Sequence, residues 1–319
     1  MTKNKINSYT CTILLLLLLV PALIFAQFRV VGYVPLGRQP LSIISDSVFK
    51  KLTHLNIAFI NPDSTGALIV PVGFDTLIQQ AHSNKVKVLM AIGGGTFNPH
   101  YANLLKDENR KSFVESLVTL CVNYNLDGID VDIENDAIDK NYEGLVTDLS
   151  AMLRPLHKLL TAALATWNGH LISDAALKQF DFINIMSYDQ TGPWRPNKPG
   201  PHSTYAKAEE DLHYWTVTRG VAKKKVNLGL PFYGYCFGTT YGESMSYGNI
   251  VTIFPGAGQQ DSIAPVSGGN IYYNGIPTIQ SKTKLALKNA GGIMIWQVLG
   301  DAAGDNSLLN AIHAVANKK

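Results

Sequence analysis

The sequence predicts an α/β fold: a closed (β/α)8 TIM barrel with a small insertion between strands seven and eight. From Phe28 to the C-terminus short apolar runs alternate with amphipathic stretches, the rhythm of parallel strands joined by crossover helices. Eight such runs can be read, and an amphipathic pattern from Ser307 to Ala316 follows the last of them, as closure of a ring of strand-helix units requires. At 319 residues, 46% hydrophobic and 16% charged, the chain can bury a large core as one folding unit.

The N-terminus comes first. Lys3 and Lys5 precede an apolar run from Ile13 to Phe25 that Pro21 interrupts, ending in Ala26-Gln27. This predicts a signal peptide over residues 1–26, cut near Ala26, and export to periplasm or medium. The run is shorter than the ~20 apolar residues a spanning helix needs, so no stable membrane insertion is expected, and Cys11 leaves with the leader. Cleavage removes two lysines and no acids, lowering the formal charge from +3 to about +1. Nothing in that balance attracts nucleic acid. A neutral partner and a monomer fit better.

Residues 27–319 are then the barrel. The strands are read from Arg29 to Tyr33, Leu55 to Ile60, Val86 to Ile92, Gly128 to Glu134, Leu160 to Thr166, Phe182 to Tyr188, Val226 to Pro231 and Gly292 to Trp296. Between them, Phe113, Leu117, Leu120, Cys121 and Tyr124 share one helical face, and Tyr142, Leu145, Leu149, Met152 and Leu153 repeat the pattern. Residues 235–275, rich in Gly, Ser and Tyr, break the rhythm and form the insertion. The remaining cysteines, Cys121 and Cys236, could bridge only if the fold brought them together; two buried free thiols are expected.

One strand violates its own pattern. A parallel strand covered on both faces should be almost wholly apolar, yet the fourth reads Asp127-Gly-Ile-Asp130-Val-Asp132-Ile-Glu134. With a side-chain period of two, Asp130, Asp132 and Glu134 share one face, and Ile129, Val131 and Ile133 the other. The apolar set can pack outward, leaving carboxylates spaced by roughly 6.6 Å along the barrel interior. Carboxyl groups so crowded in a water-poor space cannot all ionise freely, so at least one should hold its proton toward neutrality. Glu134 lies nearest the carboxyl end of the strand, where such barrels place their sites, and its side chain is the longest. The acids lack EF-hand spacing and the eight histidines lack metal-site spacing. No metal and no cofactor is expected.

The strand resembles the signature D-x-x-D-x-D-x-E of glycoside hydrolase family 18, the chitinases and their relatives, with Asp127, Asp130, Asp132 and Glu134 at the four acidic positions. Met186-Ser-Tyr188-Asp189, Leu228 to Gly234 and Gly291 to Trp296 resemble the sixth-, seventh- and eighth-strand motifs, in family order. The third-strand motif, ordinarily Ser-x-Gly-Gly, stands here as Ala91-Ile-Gly93-Gly94 and so lacks its serine. The insertion is short for a family in which many members carry a full extra domain.

The resemblance implies cleavage of β-1,4-linked N-acetylglucosamine polymers with retention, the substrate's acetamide acting as nucleophile. It implies Glu134 as acid, Asp132 and Asp130 as its electrostatic partners, and Tyr188 as a donor to the acetamide oxygen. Met186, Asp189 and Trp296 would line the sugar site; Tyr33 and Phe59 would wall it or pack in the core, Trp194 would extend the platform or cap the barrel, and Gly93 and Gly94 would let backbone approach the ligand or meet a turn requirement alone. Asp127 would complete the motif structurally. Chitin or an N-acetylglucosamine-containing oligosaccharide is the implied partner. Endo-β-N-acetylglucosaminidases acting on N-glycans share the acidic strand, and family members without turnover act as chitin-binding lectins. The Tyr188-Asp189 pair and the Gly291 to Trp296 motif favour a chitinase, and the retained Glu134 favours turnover.

Overall fold

Runs apolar on both faces are stable only where neighbours complete their backbone pairing and helices cover the outside. The computed structural model, which describes residues 27–37, 44–96 and 98–317, satisfies both conditions. Strands β1 (Arg29–Pro35), β2 (His54–Ala58), β3 (Lys87–Gly93), β4 (Gly128–Asp132), β5 (Leu159–Leu164), β6 (Phe182–Ile185) and β7 (Val226–Pro231) pair in parallel in chain order. Four short strands then leave the ring: β8 (Tyr233–Phe237), β9 (Ser244–Ser246), β10 (Ser262–Ile263) and β11 (Asn270–Tyr272), an antiparallel sheet of order β10-β11-β8-β9. Finally β12 (Gly292–Trp296) pairs with both β7 and β1 and closes the barrel.

The α-helices among the described residues are α1 (Asp46–Phe49), α2 (Phe74–Ser83), α3 (Tyr101–Leu104), α4 (Asp107–Asn123), α5 (Tyr142–Leu153), α6 (Asp174–Gln179), α7 (Tyr205–His213), α8 (Tyr247–Ile253), α9 (Ile276–Asn289) and α10 (Leu308–Ala316), and the longer ones follow the amphipathic patterns. On α4, Phe113, Leu117 and Cys121 are buried together with Val114 and Val118. On α5 the buried face is Tyr142, Leu145, Val146, Leu149, Ser150 and Leu153, whereas Met152, which the sequence placed on it, is 36% exposed. Each fully buried Leu or Ile on these faces contributes roughly 1.5–3 kcal/mol relative to exposure.

Two apolar layers result. Ile129, Val131 and Ile133 belong to the outer one, between strands and helices. Inside the ring, Val31, Tyr33, Ala58, Ala91, Ala163, Phe182 and Met294 form a separate cluster. Its alanines leave room for the large side chains and for acids.

Strands β2, β4, β5 and β6 end earlier at the mouth than the sequence pattern suggests. Glu134, Thr166 and Tyr188 lie just beyond β4, β5 and β6 rather than within them. Nearby, Asn135 (φ 55°) and Asp189 (φ 62°) turn the backbone through the left-handed region, which Asn and Asp tolerate best among residues with a side chain. Cys121 and Cys236 are both buried and free. The expected leader lies outside the described residues, and no described helix is long and apolar enough to cross a membrane.

Candidate active site

The three carboxylates of the acidic strand stand in graded surroundings. Asp130, paired in register with Ala91 of β3 and Thr161 of β5, is fully buried. It accepts hydrogen bonds from the Thr161 hydroxyl, from the Tyr33 hydroxyl at 2.5 Å and from Asn184 Nδ2 at 3.3 Å. Burial raises its pKa to about 6, against the pull of these donors. Asp132, 4% exposed, leaves its Oδ1 without a partner among the described residues. Burial, then Glu134, then Asp130 push its carboxyl well above the usual range.

Glu134 is partly exposed at the mouth. Burial first, and the Asp189 carboxylate second, raise its pKa to about 7. Gly95 faces it so closely that a Cβ there would come within 3.4 Å of Oε1. Asp127 points elsewhere, as its place just before β4 requires. It accepts from the Val88 backbone N–H at 2.8 Å and lies 2.9 Å from His82 Nε2, tying α2 to β3 and β4 at the barrel's foot.

A cleft of about 700 Å³ opens at Glu134. Met186, Tyr188, Asp189 and Trp194, all expected from the sequence, line it with Glu134. Gly95, Thr166, Trp167, Gln190, Arg195, Lys207 and Asp211 line it too and were not foreseen. Trp167 follows the fifth strand as Trp296 ends the eighth, and that position could have found it. The cleft thus runs from Glu134 toward the mouth ends of β5 and β6. Burial, then Asp189, keep the Tyr188 hydroxyl far above its ordinary pKa, so it remains a donor. Asp189 accepts from the Tyr233 hydroxyl and lies 3.4 Å from His202 Nδ1. Neither Tyr233 nor His202 was singled out in the sequence, though Tyr233 lies inside the seventh-strand motif.

The aromatic residues divide by depth. Trp296 stacks on Phe59 with centroids 5.8 Å apart and an interplanar angle of 26°, at the mouth ends of β12 and β2. Neither belongs to the lining of the 700 Å³ cleft. Tyr33, read as a wall, is only 1% exposed. It lies below Trp296, 5.7 Å between centroids, and its hydroxyl is committed to Asp130. Trp194 is 55% exposed and meets Tyr235 edge-on at 5.2 Å.

Gly93 and Gly94 serve close packing within the protein. At Gly93 (φ +100°) a Cβ would lie 2.1 Å from the Asp132 carbonyl oxygen, and at Gly94 (φ +95°) 2.5 Å from the Phe59 ring. The Gly94 N–H donates to that same carbonyl at 2.7 Å. The glycine that borders the cleft is Gly95.

Residues 29–301 match the description of glycosyl hydrolases family 18. The crystal structure of ChiB, a chitinase from the chitin utilization locus of Flavobacterium johnsoniae, superposes with a TM-score of 0.84 at 40% identity, covering 91% of this chain and 94% of that one. A chitinase-like effector of Moniliophthora roreri is 29% identical over 228 residues, 61% of this chain and 55% of that protein. Endochitinase 1 of Metarhizium robertsii is 26% identical over 285 residues, 73% of this chain and 66% of that protein. The chain therefore spans between about half and two thirds of the length of these last two relatives.

Proposed function

The chain belongs to glycoside hydrolase family 18, and from that premise we propose that it is a retaining chitinase, cleaving β-1,4-linked N-acetylglucosamine chains with the substrate's acetamide as nucleophile. The observation that carries this reading is the placement of Glu134 at the edge of a cleft, two residues from a buried Asp132 with an uncommitted oxygen, with burial and the Asp189 carboxylate raising the Glu134 pKa to about 7.

Glu134 gives its proton to the glycosidic oxygen as the bond from that oxygen to the anomeric carbon breaks. The acetamide oxygen of the same sugar closes on the anomeric carbon, forming a cationic oxazolinium ring. Asp132 accepts the acetamide N–H and opposes the developing positive charge, an interaction strengthened by its dry setting. A proton on Glu134 removes the repulsion that otherwise disfavours charge on Asp132. Tyr188 donates to the acetamide oxygen. Water then attacks the anomeric carbon from the vacated side, Glu134 takes the water's proton, and two inversions leave the configuration retained.

The exposed faces of Trp167 and Trp194 on the cleft suit the C–H side of pyranose rings. The leader read over residues 1–26 supports action outside the cytoplasm.

The test offers the protein chitohexaose and, separately, a glycoprotein carrying N-glycans. Release of short N-acetylglucosamine oligomers from the first is expected. Release of glycans alone would replace the chitinase with an endo-β-N-acetylglucosaminidase, and binding without either release would leave a lectin.

A further inference from the structure

Below the carboxylates the barrel interior is polar along one continuous line. Arg29 opens β1 at the foot of the barrel, opposite the mouth. Its Nη2 donates to the Lys224 carbonyl at 2.5 Å and its guanidinium lies 4.6 Å from the Phe182 ring centroid. From there the line climbs. Arg29 Nε donates to Asn227 Oδ1 at 2.9 Å, and Asn227 Nδ2 donates to Asn184 Oδ1 at 2.8 Å. Asn184 Nδ2 donates to Asp130 Oδ1 at 3.3 Å and to the Tyr33 hydroxyl at 3.1 Å. Both asparagines are fully buried.

The chemistry of the ends fixes the direction of the amides. A guanidinium offers only donors and an ionised carboxylate only acceptors, so turning either amide over would set like groups against each other. Both carbonyls therefore face the cation and both NH2 groups face the anion. Their dipoles add head to tail in an interior where such bonds polarise one another.

We infer that Arg29, though a barrel's length from any substrate, is a positioning residue that acts through Asn227 and Asn184 to keep Asp130 ionised. The site's exchangeable proton is then left to Asp132 and Glu134. Without this line the most enclosed of the three carboxyls would be the natural place for that proton, out of reach of a glycosidic oxygen. The consequence for turnover rests on the hydrolase reading above; the effect on Asp130 does not.

Other titratable groups stand around both ends. Asp130 feels Tyr33 from β1, Asp132 on its own strand and Tyr142 from α5. Near Arg29, burial holds His54 of β2 neutral with a pKa of about 3, and Lys87 of β3 is exposed and its charge screened by solvent.

The experiment follows the aspartate carboxyl carbons by 13C NMR through a pH titration of the full chain and its variants. Asn184→Leu is expected to raise the Asp130 titration by about one pH unit, and Arg29→Gln by about half a unit, while Arg29→Lys stays near the parent. If the protein turns over chitohexaose, the acid limb of kcat/KM moves up in the same order. Folded Arg29→Gln protein with an unmoved Asp130 titration overturns the inference, even if the variant melts earlier. Should Asn184→Leu not fold, Arg29→Gln, at the partly exposed foot, still decides. A parent without turnover would remove the hydrolase reading and leave the titration in force.

Discussion

Thr161 on β5 stands in register beside Asp130 on β4 and gives that buried carboxylate one of its two hydroxyl hydrogen bonds, the other coming from Tyr33. On the other side of β4 the registered neighbour is Ala91, which has no hydroxyl to offer. The serine missing from the third-strand motif is thus matched by a donor from the opposite flank. Hydrogen bonds to a charged acceptor are each worth roughly 1.5–3 kcal/mol. Thr161→Val is therefore expected to lower kcat/KM by about ten- to a hundredfold, and Thr161→Ser to restore most of it. Steady-state kinetics on a chito-oligosaccharide checks both.

The pH profile carries a second expectation. Glu134 must be protonated to act as acid, and its raised pKa of about 7 places the basic limb of kcat/KM near neutrality. Asp189 contributes to that rise, so Asp189→Asn should bring the limb to lower pH as well as slow the reaction. An unmoved limb would show that the Asp189 charge does not reach Glu134.

Stability follows from the same shift. Glu134 binds its proton more tightly folded than unfolded, so the folded state loses stability as pH rises from its ordinary 4.5 through about 7. Glu134→Gln removes that ionisation. The variant's gain in Tm over the parent should be larger at about pH 8 than at about pH 4.5, and thermal unfolding at the two pH values measures it.

Trp167 and Trp194 are 66% and 55% exposed on the cleft, where a free indole face gains most from a sugar ring. Replacing either with Ala is expected to raise KM about tenfold for a hexamer, with less effect on the shortest cleavable oligomer. Equal effects on all lengths would mean that these rings pack the mouth and bind no sugar.

The barrel and the acidic strand were legible because both rest on short-range periodicity. A two-residue alternation is enough to send Asp130 and Asp132 inward and Ile129 and Val131 outward. Depth was harder to read. β1 runs on to Pro35, two residues past the apolar pattern's apparent end at Tyr33, and so Tyr33 falls one layer below the mouth. β2 stops at Ala58 and leaves Phe59 at the rim. For Gly93 and Gly94 the sequence leaves ligand approach and a turn requirement equally open, because a glycine in sequence does not say which surface crowds it. The line from Arg29 to Asp130 was invisible for a different reason. Its partners are 198, 43 and 54 residues apart, and only strand register brings them together.

In the proposed mechanism Glu134 is the acid of a retaining, substrate-assisted cleavage. The most direct measurement is 1H NMR of the anomeric protons during hydrolysis of chitohexaose by the parent and by Glu134→Gln. The β-anomer is expected to appear first with the parent, and the rate to be lower by about a hundredfold or more with the variant. First appearance of the α-anomer, or turnover by Glu134→Gln at the parent's rate, would contradict it.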